Sequence, residues 1–144
     1  MFIMESNEEW SAWNPTGLSR CHAYSASIHL NDLGFHVIVE CDIGRIEILF
    51  CGLVPSYTYS VEGIRMATWA PIQEKNNDKK FFTKWFVFKI ENSKYKKWAL
   101  QESCGFYTEK ELSHFRIVTG YEVIDILSLG EPQFIFFNLN LGLT

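Results

Sequence analysis

The stretch ENSKYKKWALQESCGFYTEKELSHFRIVTGYEVIDILSLGEP, residues 91–132, decides the fold. It reads as helix, stop, strand, tight turn, strand, stop. Asn92 and Ser93 are both good N-caps, because a short side-chain oxygen accepts from the free N–H groups of a first helical turn. Tyr95, Trp98, Ala99 and Glu102 follow at helical spacing, with Lys94, Lys96, Lys97 and Gln101 mostly on the other side. The expectation is a helix over about 93–104 whose aromatic stripe, Tyr95 and Trp98, anchors it in the core. Gly105 stands where a left-handed residue would end it.

A hairpin is expected next. Phe115, Ile117 and Thr119 alternate with His114, Arg116 and Val118, and the run from Val123 to Leu129 is rich in β-branched residues. Gly120-Tyr121 between them suits a type II′ turn. That loop sets a register in which Val118 faces Val123, Ile117 faces Ile124, Arg116 faces Asp125 and Phe115 faces Ile126. One face then carries only Phe115, Ile117, Ile124 and Ile126, and the other opposes Arg116 to Asp125 among mixed residues. A helix from Tyr121 to Leu129 is the competing reading.

The same stretch is similar to the C-terminal part of small bacterial proteins of immunity type or of unassigned function. The matching positions are Ser103 and Gly105, then His114, Phe115, Ile117 and Thr119, then Ile124, Asp125, Ile126, Leu127, Ser128, Glu131 and Pro132. They lie in the C-terminal third of the chain, and most are residues that any strand–turn–strand would use. The resemblance implies an antitoxin-like binding protein and leaves the toxin unidentified.

Composition sets the outer bounds. A chain of 144 residues is expected to be one domain, residues 1–144, that folds without disulfides. Hydrophobic residues make up 47% and aromatic residues 16%, which excludes a disordered chain. The net charge of −4 argues against nonspecific nucleic-acid binding and is compatible with a basic protein partner. Cys21, Cys41, Cys51 and Cys104 are widely spaced, with no C-x-x-C and no Cys/His pair at zinc-ligand spacing. They read as reduced, structural thiols in a cytoplasmic protein, with no metal or cofactor expected. The N-terminal MFIMESNEEW lacks the basic and apolar regions of a signal peptide, and no apolar run reaches the ~20 residues that span a bilayer.

The remaining elements follow from periodicity. Trp10 and Trp13 would share one face of a short helical turn from Ser6. Strands are expected over Cys21–Leu30, Phe35–Cys41 and Arg45–Cys51, with Asn31-Asp32-Leu33-Gly34 and Asp42-Ile43-Gly44 as turns. Val54 to Glu62 is a surface loop or an edge strand. A short helix ends at Ala70-Pro71. Phe81–Ile90 and Gln133–Phe137 complete the strands. The fold class is α+β, with a largely antiparallel sheet of about six or seven strands, one clear helix and one or two short ones.

No phosphate-binding glycine loop is present. Cys104, His114 and Asp125 are the residue types for thiol catalysis, but nothing in the sequence brings them together. Lys75, Lys79, Lys80, Lys84, Lys94, Lys96 and Lys97, interleaved with Phe and Trp, are the one candidate basic patch. The expected function is therefore noncatalytic protein binding, plausibly neutralisation of a basic toxin domain. The alternative is a small enzyme or ligand-binding domain whose pocket is dispersed along the chain. The expected partner-binding residues are Tyr57, Tyr59 and Glu62, where two alternate tyrosines project from one side of a Pro/Ser/Gly-bounded segment. The competing reading has both tyrosines covering the sheet edge.

Overall fold

The computed structural model describes residues 7–78 and 80–137. Two antiparallel sheets form a sandwich. The strands are β1 (Glu9–Ala12), β2 (Ala23–Asn31), β3 (Gly34–Cys41), β4 (Gly44–Phe50), β5 (Ser56–Val61), β6 (Val87–Glu91), β7 (Ser113–Val118), β8 (Glu122–Ser128) and β9 (Gln133–Phe137). The helices are α1 (Met66–Lys75) and α2 (Lys94–Glu102), and short 3-10 turns cover Glu62–Ile64 and Phe81–Thr83. One sheet has the order β1-β6-β7-β8-β5 and the other β2-β3-β4-β9. The α+β class and the antiparallel pairing are as expected. The described residues hold nine strands, however, in place of six or seven.

Alternation explains the layering. Phe35, Val37 and Val39 of β3 and Ile46, Ile48 and Phe50 of β4 point inward from one sheet. Phe115, Ile117, Ile124 and Ile126 meet them from the other, with the Phe50 and Phe115 rings 5.8 Å apart. The β7–β8 register is as expected, Val118 opposite Val123 and Arg116 opposite Asp125. The competing helix over Tyr121–Leu129 is absent.

The turn chemistry differs from type II′. Gly120 lacks the required positive φ. Thr119 organises the turn, its Oγ1 accepting from the N–H groups of Tyr121 (3.2 Å) and Glu122 (2.9 Å). The Gly120 N–H donates to the Ala23 carbonyl at 3.0 Å, which brings the turn against the start of β2. The buried Glu122 carboxylate accepts from Thr119 Oγ1 and from Ala26 N–H, tying the turn to the opposite sheet.

Several local expectations are corrected. Trp10 lies in β1 and Trp13 directly follows it, so a spacing of three in extended chain sends them to opposite faces. Trp10 packs edge-on against Phe88, and Trp13 against core Phe115. Helix α1 runs through Pro71 to Lys75, and Phe81–Thr83 is a 3-10 turn ahead of the shorter β6. Cys104, with φ +52°, takes the left-handed position immediately after the Ser103 C-cap, one residue before Gly105. Helix α2 buries none of its residues, and Trp98 is 52% exposed, stacked on Tyr95 at 5.8 Å. Trp98 is no core anchor, because α2 meets the sheet mainly at its N-terminal end. Among the described residues no helix is long and apolar enough to cross a membrane.

Candidate functional site

All seven residues of β8 are buried, so this strand is covered on both faces. Its outer face carries Asp125, opposite Arg116 and beside His114 on β7. These polar side chains are 2%, 2% and 1% exposed. Charges so placed need partners, since an unpaired buried ion costs several kcal/mol. The fold brings the partners from remote parts of the chain. Asp125 Oδ1 accepts from Arg116 Nε at 2.6 Å and from His114 Nε2 at 2.5 Å, and Oδ2 accepts from Arg65 Nη2 at 2.7 Å. Arg116 also reaches Glu8 at 3.3 Å and lies over the Trp10 ring, 4.6 Å from its centre. Two guanidinium groups therefore balance two carboxylates, and His114 need carry no charge.

The protonation pattern follows. Burial would raise the Asp125 carboxyl, but the His114 hydrogen bond and the charges of Arg116 and Arg65 hold it well below the usual carboxylate range. Burial pushes His114 down from 6.5, against the Asp125 contact, and favours the neutral ring. Neutral His114 donates from Nε2 to Asp125, so its Nδ1 accepts from the Ser93 hydroxyl at 2.6 Å. Ser93 Oγ in turn accepts from Lys96 N–H at 2.9 Å, as the N-cap of α2. Tyr95 packs edge-on against His114 and hydrogen-bonds Ser56 on β5.

Ser93, His114 and Asp125 thus have the connectivity of a nucleophile–base–acid relay. Its setting opposes that chemistry. Ser93 is 3% exposed and its oxygen already caps a helix. Asp125 shares its charge with two arginines, which leaves little to stabilise an imidazolium. The relay is best described as a polar clamp that holds α2 and the start of α1 on the outer face of the sheet. Ser93→Ala should cost about 1–3 kcal/mol, since it removes a cap and orphans buried His114 Nδ1. Urea unfolding of that variant measures the loss.

The thiol-catalysis residue types named from the sequence, Cys104, His114 and Asp125, do not assemble as a relay, in line with the sequence reading. Cys104 is exposed beyond the end of α2, whereas Ser93 at the other end occupies the third position. Sequence reading missed Ser93, Arg65 and Glu8 as a group. The hairpin register does put His114, Arg116 and Asp125 on one face, but no residue pattern marks that face as covered.

Tyr57 and Tyr59 lie on β5, which is an edge strand and not a loop. They sit opposite Ile126 and Ile124 and so face the sandwich interior at its rim. Tyr57 is 41% exposed and meets Phe35 at 5.0 Å, and Tyr59 is 51% exposed. Glu62 stands just past the strand in the 3-10 turn, half-buried, its N–H donating to the Tyr121 carbonyl. Val61 falls on the same side of β5 and extends the ridge, and Ile64 and Met66, beyond the strand, are exposed as well. In the expected basic patch, Lys84 pairs with Asp78 at 2.6 Å and Lys96 with Glu109 at 2.9 Å, which lowers its net charge. Lys79 lies outside the described residues.

No protein-family model, no curated protein and no solved structure matches this chain.

Proposed function

We propose that this chain is a noncatalytic protein-binding protein of immunity type, which neutralises a cognate toxin domain by stoichiometric association. The carrying observation is the free edge of β5. It presents two half-exposed tyrosines and then exposed Val61, and no strand of the described residues pairs with it on its outer side. Tyrosine anchors interfaces because it buries a large rigid area and keeps a polar tip. A free edge adds main-chain hydrogen bonds when a partner strand joins it. The net charge of −4, with Glu62 beside the ridge, favours a basic partner and rapid encounter. The setting proposed is the cytoplasm, where the four thiols stay reduced.

Co-expression with the product of the adjacent gene tests this reading. The expected result is growth protection and copurification at a fixed ratio. Tyr59→Ala and Tyr59→Lys, with unchanged circular dichroism, should each weaken association by ~30-fold or more, the scale of one interface anchor. Tyr57→Ala/Tyr59→Ala should abolish protection, with the stability of the Tyr57 variant checked separately because Tyr57 also packs on Phe35. Full protection by the folded double variant would remove the β5 edge from the account.

A further inference from the structure

We infer that Cys21, Cys41 and Asp42 form a binding site for a thiophilic divalent cation of the zinc class. Their ligand atoms all lie within 4.8 Å of one another. Tetrahedral zinc, with Zn–S of about 2.3 Å and Zn–O of about 2.0–2.2 Å, needs ligand atoms about 3.4–3.8 Å apart. Small side-chain rotations close that difference.

The fold builds the cluster from two chain segments. Cys41 ends β3 immediately before the two-residue turn Asp42-Ile43, and pairs with Gly44 across it. Cys21 approaches from the segment just before β2, its N–H anchored on the Lys84 carbonyl at 2.8 Å. Asp42 is locked to the same segment. Its N–H donates to the His22 carbonyl at 3.0 Å, and its Oδ1 accepts from His22 N–H at 3.1 Å. The second bond orients the carboxylate, as outer contacts orient metal ligands generally.

In the metal-free fold the Cys41 thiol donates to the Gly44 carbonyl at 3.0 Å, on the turn side of the cluster. A dication would displace the proton of each thiol: two metal–sulfur bonds form, both protons pass to solvent, and the Cys41–Gly44 hydrogen bond is given up, with no electron transfer. Two sulfurs select zinc or cadmium over magnesium or calcium. Cys21 and Cys41 are buried and Asp42 is exposed, so the ion would enter from the turn and keep its fourth position towards solvent.

The test uses the full chain carrying Cys51→Ser and Cys104→Ser, which removes the two exposed thiols. Titration with Cd2+ should give a sulfur-to-cadmium charge-transfer band that saturates at one equivalent. Asp42→Asn should retain the band but weaken binding by about tenfold or more. Cys41→Ser should lose it. Because that variant alters the core, an independent measurement uses intact thiols: one equivalent of Zn2+ should slow alkylation of both Cys21 and Cys41, mapped by mass spectrometry. No band at stoichiometric Cd2+, a band that survives Cys41→Ser in folded protein, or alkylation unaffected by Zn2+ would each overturn the site.

Discussion

Asp125→Ala should lower the unfolding free energy by about 3–5 kcal/mol, read as a shift in the urea midpoint at unchanged slope. The carboxylate is 2% exposed and receives hydrogen bonds from Arg116, His114 and Arg65. Its removal leaves the Arg116 guanidinium buried beside the neutral His114 ring. Glu8 at 3.3 Å and the Trp10 face compensate only in part. Asp125→Asn keeps some acceptor capacity and should cost less.

The parent chain's pH profile follows from the same clamp. Asp125 and His114 both have lower pKa values in the fold than their ordinary values of 3.8 and 6.5. For each, the unfolded chain binds the proton first as the pH falls, so each contributes stability that is present above its ordinary value and lost below it. Stability should therefore decline in two stages on acidification, first below 6.5 as His114 is drawn towards the charged unfolded form, then below 3.8 as Asp125 follows. His114→Gln should flatten the first stage and spare the second. A profile unchanged in that variant would mean that His114 is not held neutral.

Phe115→Ala should have a similar effect, about 3–5 kcal/mol, through a cavity and not a charge. Phe115 is fully buried at the centre of the sandwich, with Trp13 5.4 Å away on one side and Phe50 5.8 Å away on the other. Trp98→Ala should cost far less, about 1 kcal/mol or under, because Trp98 is half-exposed and loses chiefly its stacking on Tyr95. Thermal unfolding of the two variants side by side separates a core ring from a surface ring. Equal losses would contradict the packing described for α2.

These two variants also mark how far the sequence could be read. The hairpin register was legible because strand periodicity put Phe115, Ile117, Ile124 and Ile126 together, and a one-residue slip would have scattered them. The opposite face was not legible. His114, Arg116 and Asp125 look like a solvated surface until Glu8, Arg65 and Ser93 arrive from segments far away in the chain. Trp98 fits a helical stripe equally well on a docked or an outlying helix, and only the shallow seat of α2 decides between them. The Trp10–Trp13 spacing suits one helix face or two strand faces, and pairing with β6 chose the strand. Tyr57 and Tyr59 share one side in either a loop or an edge strand, and pairing with β8 decides for the edge strand.

The dose dependence of protection tests the binding account most directly. Expression of the chain is titrated against its proposed toxin partner, with the two proteins quantified in the same cells. Stoichiometric binding through β5 predicts that protection ends where the partner exceeds the chain, and that Tyr59→Lys removes protection while Ser93→Ala, if still folded, preserves it. Protection that persists with the partner in large excess, and is lost on Ser93→Ala without loss of folding, would contradict the account and make the Ser93–His114–Asp125 relay a working catalyst.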